Sequence, residues 1–556
     1  MKITILSGGS GNDKLIRGLR RFFPQCEIKV ITNAYDSGKS TGICRHVTNT
    51  LGVSDIRKNH SRMYETLDIP KDNRILEFYN NRYDLTKGNE EHEVLDLLDG
   101  WGLSGFKQYA VNFFSRDLAS NFVYKDFSIA NIIYSEMYAE LGYEETNARF
   151  CNFLGIEDFV VLNSFENVYL KAMTQSGHII GDEGDLVKYD NAEDKIVNTF
   201  YTGLDEVVNM KAVDLVKNCD LLVISTGTFW SSIYPTLQYG DFYKYVNESP
   251  AKKIWAINNI EDHDCWGVTS NDLINYMTKL GLNLDDFTIL ENLDSIDTLH
   301  LDNDKYNIVK KHMENVKGKH NPEKYAKALL SIFYGIENYN YYDTILFDFD
   351  DTIYSRLYKG LATSIENVKM VNDILKDKAI IVSGNSYSSI DTKLKFIYGS
   401  DLSCINFDIW ADANSRLFRK GKEEYALKNL KMMHPDTTKN ILSGFNLPYT
   451  SESDACIKVK PLDERERRIL AAYLNIVLED SAEARITGKT TIDIVSRNNS
   501  KSAIFDFLNL KDKITLYIGD EVDKGNDVEI SSLCTKAIHT SGVEETNVLL
   551  QLLCEG

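Results

Sequence analysis

The chain has 556 residues, of which 43% are hydrophobic, 26% are charged and only 8 are proline. A chain of this length is too long for a single hydrophobic core, so we expect about two to four globular domains. The small number of prolines argues against a long disordered linker. The net charge of −20 argues against nucleic acid or an anionic membrane surface as a partner. It is compatible with small phosphorylated ligands that bind where positive charge is locally concentrated.

The first residues run into glycines without the apolar stretch of a signal peptide, and no later segment reaches the ~18 apolar residues of a spanning helix. We therefore expect a cytoplasmic protein. The nine cysteines are scattered without a CxxC pair, so the sequence predicts neither a disulfide framework nor a zinc site. The oligomeric state stays open, with a homodimer as one alternative.

The N-terminal part alternates between strand and helix patterns. Residues 3–6 and 28–31 are apolar runs of strand length, and a glycine turn followed by apolar residues at helical spacing lies between them. Similar alternation farther along predicts a mostly parallel sheet with helices on both faces. Residues 323–336 form the last predicted helix of this part, and we place the domain boundary near residue 340.

The glycine turn, residues 7–12, would bring backbone N–H groups at a helix N-terminus close to a phosphate. Tight packing between strand and helix explains the same glycines equally well. The G-x-G-x-x-G fingerprint of nicotinamide-binding domains is absent. A P-loop is also excluded, because residues 37–41 copy its end while Asn33 stands where its first glycine is required.

The residues around this false P-loop belong to a longer pattern. It comprises residues 33–42 (NAYDSGKSTG), Arg45, and residues 51–57 (LGVSDIR), 128–131 (SIAN) and 225–235 (STGTFWSSIYP). With this pattern, nearly all of residues 1–300 resembles the 2-phospho-L-lactate transferase (CofD-like) superfamily. Within it, the chain is more similar to the gluconeogenesis-factor branch, which binds UDP-sugars, than to the archaeal deazaflavin-coenzyme transferases.

The resemblance implies a Rossmann-type domain with a site for a nucleoside-diphosphate-linked ligand, which one branch uses as a transfer donor and the other chiefly binds. Asp36-Ser37 replaces the usual paired aspartates, which removes one metal ligand, and Lys39 would supply positive charge to a diphosphate. The implied contacts are Gly8, Gly9, Ser10, Gly11, Asn12, Asp36, Lys39, Asn131, Thr226, Gly227 and Thr228. A turn that caps a helix is the alternative interpretation of residues 226–232.

After residue 340 the strand pattern restarts. Residues 344–347, 379–382 and 514–518 are short β-rich runs, and each ends at a polar motif, as ligand sites do at the carboxyl ends of parallel strands. The motifs are Asp348-Phe349-Asp350-Asp351-Thr352, Ser383-Gly384-Asn385 and Gly519-Asp520. The more than one hundred residues between Ser383 and Lys501 exceed a crossover connection, so we predict a cap domain at about residues 421–489.

Asp348 and Asp350 are two residues apart, so both carboxylates can enter one site where the strand ends. Adjacent carboxylates repel each other unless a cation neutralises them, and oxygen ligands suit Mg²⁺. We predict that Asp348 attacks phosphorus, Asp350 is the acid and base, and Ser383 and Lys501 hold the phosphoryl oxygens. The predicted metal ligands are Asp348, Asp350, Asp520 and Asp527, and the predicted substrate contacts are Thr352, Asn385 and Asn526.

These motifs in this order resemble the haloacid-dehalogenase superfamily over residues 341–556. Residues 412–414, 519–521 and 525–527 are most similar to the corresponding segments of phosphomannomutases and sugar phosphatases. This resemblance implies an aspartyl-phosphate intermediate. Asp351 departs from the pattern, since the family usually has glycine there. Hydrolysis is preferred, although a mutase would share the same intermediate.

The sequence as a whole thus predicts two doubly wound, mostly parallel α/β domains, the second with an inserted α+β cap. The leading hypothesis is a bifunctional enzyme in which a CofD-like transferase, using a nucleoside-diphosphate-activated donor, is fused to a Mg²⁺-dependent phosphatase for a sugar phosphate or related phosphomonoester. The alternative is a nucleotide-sugar-binding domain that regulates the attached phosphatase or phosphomutase. A third hypothesis makes the N-terminal part a dimerising scaffold.

Overall fold

The computed structural model divides into two compact units, Met1–Phe333 and Tyr334–Gly556, where the sequence placed a boundary near residue 340. None of the described helices is both long and apolar enough to cross a membrane. The structure describes residues 1–9, 11–202, 206–258, 264–294, 305–411, 414–426, 435–444, 449–453, 456–459, 464–478, 482–487, 491–496, 500–523 and 527–554.

The described strands of the first unit form one large sheet and two small ones. They are β1 (Lys2–Leu6), β2 (Glu27–Thr32), β3 (Val160–Leu162), β4 (Tyr169–Thr174), β5 (Ile179–Ile180), β6 (Ile196–Thr202), β7 (Leu221–Ile224), β8 (Lys252–Ala256), β9 (Phe287–Asn292), β10 (Asn307–Lys311), β11 (Glu314–Val316) and β12 (Lys319–His320). The large sheet has the order β10-β9-β8-β7-β1-β2-β3, and all its strand pairs are parallel. Strands β5-β4-β6 and β11-β12 pair antiparallel.

The strands of the large sheet are apolar because helices cover them. In β1 the four residues after Lys2 are all buried, as expected for a strand in a parallel sheet. The described helices are α1 (Asp13–Phe22), α2 (Lys39–Thr48), α3 (Ser54–Thr66), α4 (Asn73–Asn80), α5 (Glu90–Gly100), α6 (Lys107–Phe114), α7 (Ile129–Leu141), α8 (Tyr143–Leu154), α9 (Glu183–Leu186), α10 (Met210–Asn218), α11 (Tyr234–Gln238), α12 (Phe242–Glu248), α13 (Ser270–Leu280) and α14 (Pro322–Tyr334).

The second unit is built on a mixed sheet of seven strands. Its described strands are β13 (Thr344–Phe347), β14 (Ala379–Val382), β15 (Asp408–Ala411), β16 (Arg416–Arg419), β17 (Lys422–Ala426), β18 (Tyr449–Ser453), β19 (Cys456–Val459), β20 (Glu483–Thr487), β21 (Thr491–Val495), β22 (Thr515–Gly519) and β23 (Lys536–His539). The order is β17-β16-β15-β14-β13-β22-β23, in which β16 pairs antiparallel with both β15 and β17 and the other pairs are parallel.

The helices of the second unit are α15 (Ala362–Met370), α16 (Tyr387–Tyr398), α17 (Pro435–Gly444), α18 (Glu464–Val477), α19 (Ala503–Phe507), α20 (Val528–Leu533) and α21 (Val543–Leu553) within the described residues. The two large, mostly parallel sheets confirm the predicted α/β class. The runs predicted at residues 344–347 and 379–382 coincide with β13 and β14.

The inserted cap is an antiparallel sheet of order β18-β19-β21-β20 accompanied by α17 and α18, with a hydrophobic core of its own. Its limits differ from the predicted 421–489 at both ends. Strand β17 pairs with β16 in the main sheet, whereas β21 pairs with β19 in the cap. A short β-rich run does not encode its pairing partner, since tertiary packing decides it.

Candidate functional site

The strand order of each large sheet reverses at one point, and the predicted motifs gather there. In the second unit, the chain leaves β13 towards β14 on one side, while β22 lies on the other. Asp348 follows β13 and Asp520 follows β22, so both carboxylates lie at the switch point, where open α/β sheets bind ligands. In the first unit the equivalent point lies between β1 and β7.

Lys501 joins two of the predicted carboxylates in the second unit. Its Nζ lies 2.6 Å from Asp348 Oδ1 and 2.5 Å from Asp527 Oδ1. Lys501 and Asp527 are buried, and Asp348 is only 9% exposed. A buried ammonium group between two carboxylates is a charge-assisted arrangement that fixes all three side chains.

Burial raises the pKa of Asp348 to about 7; the Lys501 ammonium opposes this shift, whereas the Asp527 and Asp520 carboxylates add to it. The pKa of Asp520 is also raised, by burial first and then by Asp527. Burial would lower the pKa of Lys501, but the Asp348 and Asp527 carboxylates reverse that effect and hold it above its usual value. The site therefore carries an excess of closely spaced negative charge.

The carboxylate oxygens of this site are donors of the kind that a divalent cation binds. Asp527 Oδ2 is buried beside the Tyr517 hydroxyl, yet within the described residues no donor meets it in hydrogen-bonding geometry. A β-carbon added at Gly519 would lie 2.5 Å from that oxygen, so glycine is needed for the carboxylate to pack against β22. Among the residues that the structure describes, no three His, Cys, Asp or Glu side chains are grouped as a metal site, and Lys501 occupies the space between Asp348 and Asp527.

Asp350 points to a different set of partners. Asn385 Nδ2 donates to its Oδ2, and Lys393 Nζ contacts its Oδ1. Asn385 is fixed in turn, because its backbone N–H donates to Ser383 Oγ at 3.2 Å. The Ser383 N–H donates to the Trp410 carbonyl at 2.9 Å, which places this motif at the end of β14. The predicted residues Asp350, Ser383 and Asn385 thus lie together.

Asp351 has a left-handed backbone and pairs with Arg356. Its φ is +58°, a left-handed conformation that explains why glycine suits this position. Arg356 fixes the carboxylate, with its backbone N–H 2.9 Å from Oδ1 and its Nε 2.7 Å from Oδ2. Thr352 is fully buried, and its Oγ1 has no hydrogen-bond partner in the described part of the chain. Asn526, also predicted here, lies outside the described residues.

The glycine turn of the first unit packs tightly. A β-carbon at Gly9 would lie 2.2 Å from Asp55 Oδ1, and one at Gly11 would lie 1.6 Å from the Thr226 carbonyl oxygen. Gly8 similarly approaches Ser232. The turn is therefore pressed against the start of α3 and the segment after β7, which by itself accounts for the glycines. Ser10 lies outside the described residues.

The segment after β7 is held by hydrogen bonds to this turn and to the end of β8. Thr226 Oγ1 donates to the Gly11 carbonyl at 2.9 Å, and the Gly227 N–H donates to Asn258 Oδ1 at 3.0 Å. Thr228 precedes a π-helical turn, Phe229–Ile233, and its hydroxyl contacts the hydroxyls of Ser231 and Ser232 rather than capping a backbone N–H.

Asp36 accepts two hydrogen bonds near the start of α2. Its Oδ1 accepts from the Gly38 N–H at 2.9 Å and its Oδ2 accepts from Thr41 Oγ1 at 3.2 Å. Glu183 lies beside it and accepts from the Ser37 N–H at 3.2 Å. Burial and the neighbouring Asp36 carboxylate raise the pKa of Glu183 well above its usual value.

The remaining predicted residues divide into buried and exposed ones. Asn131 is buried and links Arg57 Nε, at 2.8 Å, to Ser40 Oγ, at 2.9 Å. Asn12 is also buried, and its Nδ2 donates to Asn59 Oδ1 at 2.7 Å.

Lys39 instead points outward to Asp126, with 2.5 Å between Nζ and Oδ2. Its φ of +43° is unusual for a residue other than glycine. The structure therefore separates Lys39 from the other residues predicted for this site.

Six residues near these sites were missed as site residues by sequence reasoning. Asp55 and Arg57 belong to the 51–57 motif that carried the resemblance, so the sequence held a signal for them. Glu183 and three cationic side chains of the second unit belong to no sequence motif. Only the folding of the chain brings them close to the sites. The cations are Lys393, Arg356 and Lys458.

Relatives of known sequence match the N-terminal part. The gluconeogenesis factor of Bacillus subtilis (strain 168) is 22% identical over 258 residues, which are 46% of this chain and 67% of that protein. The gluconeogenesis factor of Halalkalibacterium halodurans is 21% identical over 272 residues, which are 49% of this chain and 70% of that protein.

Solved structures that are similar to this chain have low sequence identity to it. A UPF0052-family protein from Bacillus halodurans has a TM-score of 0.46 and 17% identity, covering 59% of this chain and 99% of its own. A haloacid dehalogenase-like hydrolase from Bacteroides thetaiotaomicron has a TM-score of 0.29 and 11% identity, covering 37% of this chain and 92% of its own. The structural neighbours of this chain thus include a haloacid dehalogenase-like hydrolase.

Among protein families, the one described as 2-phospho-L-lactate transferase CofD matches residues 3–328. Because this match spans more than half of the chain, the protein belongs to the CofD family.

Proposed function

We propose that the C-terminal unit is a Mg²⁺-dependent phosphomonoesterase that works through a phosphorylated Asp348. The observation that carries the proposal is the buried Lys501, which bridges Asp348 and Asp527 at the switch point of the sheet. An ion pair that only stabilises the fold can consist of one carboxylate and one ammonium group. Here at least two carboxylates surround it, Asp520 lies near them, and the pKa of Asp348 is raised to about 7, as functional sites often show.

The reaction divides into two steps. An Asp348 carboxylate oxygen attacks phosphorus, the bond from phosphorus to the ester oxygen breaks, and Asp350 gives a proton to the departing alcohol. Asp350 then takes a proton from water, which attacks the phosphorus, and the bond between phosphorus and Asp348 breaks. Inorganic phosphate leaves and both carboxyl groups return to their starting states.

The surrounding residues have supporting roles in this scheme. Lys501 and the Ser383 hydroxyl would hold the non-bridging oxygens, whose charge must be balanced in the transition state. Asp348, Asp350, Asp520 and Asp527 would hold Mg²⁺, which when bound supplies positive charge between these carboxylates and the phosphoryl group.

The test is phosphate release from a panel of sugar phosphates and hydroxy-acid phosphates in the presence of Mg²⁺. Asp348→Asn should lower kcat/KM by at least about 10³-fold, as loss of a nucleophile does. Asp506→Asn is the matched control, because that carboxylate is 75% exposed and pairs only with Lys511 among the described residues. Equal activity of the wild type and Asp348→Asn would overturn the assignment.

For the N-terminal unit we infer binding of a nucleoside-diphosphate-linked metabolite at the switch point between β1 and β7, with transfer of its phosphorylated group as the reaction. Membership of the CofD family supports this inference. So does the convergence of the glycine turn with Thr226, Gly227 and Thr228 at that point. The two units would then form a bifunctional enzyme.

One observation favours the alternative, a nucleotide-sugar sensor that regulates the phosphatase. Both carboxylate oxygens of Asp36 already accept hydrogen bonds, from the Gly38 N–H and the Thr41 hydroxyl, and no second aspartate follows it. Calorimetry with UDP-, GDP- and CDP-linked compounds, combined with product analysis, separates the two. Turnover supports the transferase; binding without turnover, accompanied by a changed phosphatase rate, supports the sensor.

A further inference from the structure

The carboxylate of Asp350 is held from two sides. Lys393 Nζ contacts Oδ1 and Asn385 Nδ2 contacts Oδ2, so each oxygen has its own donor. The Asp350 side chain is only 8% exposed and that of Lys393 only 19%. Such a pair is shielded from solvent, so it is stronger than a surface ion pair and fixes the carboxylate in one orientation.

Lys393 is itself fixed by aromatic rings. Its Nζ lies 5.2 Å from the ring centroid of Phe349 and 5.6 Å from that of Tyr354, within the range of cation–π attraction. Both rings are buried, and they stack on each other at 11°. A lysine side chain normally loses much rotamer entropy when it forms one contact. Here the rings adjacent to Asp350 in the fold help to hold the ammonium in place.

The two lysines of this site contact different carboxylates. Lys501 contacts Asp348 and Asp527, the predicted nucleophile and metal ligand. Lys393 contacts Asp350, the predicted acid and base, and stands on α16, the helix that follows the Ser383-Gly384-Asn385 motif. No motif identified in the sequence includes Lys393.

We propose that Lys393 is a positioning residue that, together with Asn385, aims the Asp350 carboxyl group at the oxygen of the leaving alcohol. This inference rests on the proposed phosphatase function. Lys393 acts through Asp350 rather than on the phosphoryl group. Its importance therefore depends on how much the leaving group needs a proton.

The need for a proton can be varied through the substrate. The alkoxide of a sugar or hydroxy acid is a poor leaving group that requires general acid catalysis, whereas nitrophenolate leaves from p-nitrophenyl phosphate without a proton. The ratio kcat/KM covers the steps up to departure of the leaving group, so it isolates the first half of the reaction. A misdirected Asp350 lowers it for the alkyl ester only.

The experiment compares Lys393→Met with the wild type on p-nitrophenyl phosphate and on the alkyl phosphate from the panel with the highest kcat/KM. We expect a loss of about 10²-fold for the alkyl ester and of less than about fivefold for the aryl ester. Lys393→Arg, which keeps the charge, should recover part of the alkyl activity. Lys395→Met is the control on the same helix, because Lys395 is 46% exposed and pairs with Asp391, and it should change neither ratio.

The possible outcomes separate the positioning role of Lys393 from the proposed phosphatase function. Equal losses on both esters would overturn the positioning role, because a general defect in folding or phosphate binding does not distinguish leaving groups. Retained aryl activity shows that the variant is folded; if Lys393→Met does not fold, Lys393→Gln is judged by the same ratio. A wild type that hydrolyses neither ester, or an Asp348→Asn variant as active as the wild type, would instead overturn the proposed function.

Discussion

Lys458, on the cap strand β19, places its Nζ 3.2 Å from Oδ1 of Asn385, at the end of the core strand β14. Asn385 donates through its other amide atom to Asp350. A cap side chain therefore lies one residue away from the predicted acid and base, at a place where it can also meet an anionic substrate. This contact links cap and core within the second unit.

Lys458→Met should weaken substrate binding more than it slows chemistry. Hydrogen bonds that involve a charged group contribute about 1.5 kcal/mol or more, so we expect KM for the panel substrate to rise about tenfold while kcat changes less than about threefold. Steady-state kinetics measure both constants. Arg468→Met is the control, because Arg468 is 71% exposed on α18. A fall in kcat at constant KM would contradict a binding role for Lys458.

Because the backbone of Asp351 is left-handed, we expect glycine and alanine at this position to differ in their effect on stability. At a φ of +58°, glycine avoids the strain of a β-carbon, which costs about 1 kcal/mol, whereas alanine keeps the strain and loses the Arg356 contacts. Asp351→Gly should therefore stay within about 1 kcal/mol of the wild type, and Asp351→Ala should be less stable than Asp351→Gly by about 1 kcal/mol.

Denaturant unfolding of both variants, followed for the second unit, gives this comparison. Phosphatase activity should survive in Asp351→Gly, because the Asp351 carboxylate pairs with Arg356 and has no proposed role in the reaction. Identical midpoints for the glycine and alanine variants would show that backbone strain is not what selects the residue here.

Much of the second site could be predicted because its residues directly follow apolar runs. Strands β13 and β14 each end at a polar motif, and the carboxyl ends of parallel strands lie on one edge of a sheet. Local sequence therefore predicts that Asp348, Asp350 and Ser383 lie at one edge of the sheet. The sheet class followed from the same alternation of elements.

Contacts that depend on the angle of a helix or the position of a cap could not be predicted in this way. Lys393 is 43 residues from Asp350, and Lys458 is 73 residues from Asn385. Neither belongs to a local pattern, since the contact exists only after α16 and β19 have packed. Asp36, a residue expected to bind ligand, accepts hydrogen bonds from the Gly38 N–H and the Thr41 hydroxyl, and its sequence motif did not predict these contacts.

Removal of Mg²⁺ should destabilise the second unit. A ligand that binds only the folded state stabilises it by mass action, and a stabilisation of about 1 kcal/mol corresponds to about 3 °C in a unit of this size. We expect the Tm in millimolar MgCl₂ to exceed that in EDTA by at least this amount. Asp527→Asn should abolish the difference, whereas Asp506→Asn should keep it. The same Mg²⁺ effect in Asp527→Asn would remove Asp527 from the metal ligands.

The stability of the first unit should fall at acidic pH because of His60. This imidazole is fully buried, with Nδ1 2.7 Å from the Tyr134 hydroxyl. Burial lowers its pKa from 6.5 to about 4, although the Asn147 side chain opposes the shift. Above about pH 6.5 the ring is neutral in the folded and unfolded states alike, so its titration has no effect on stability there.

As the pH falls from about 6.5 towards 4, His60 becomes protonated in the unfolded chain but stays neutral in the folded chain. The free energy of unfolding therefore decreases over this interval. By about pH 5 the loss attributable to His60 is about 2 kcal/mol. Denaturant unfolding of the first unit at pH values on both sides of this interval measures the slope. His60→Gln should be less stable at neutral pH, because a tightly packed ring is lost, yet it should show a shallower dependence on pH. His178→Gln, at an exposed position, should leave the slope unchanged, and a slope equally steep in His60→Gln would mean that other groups govern the acid sensitivity.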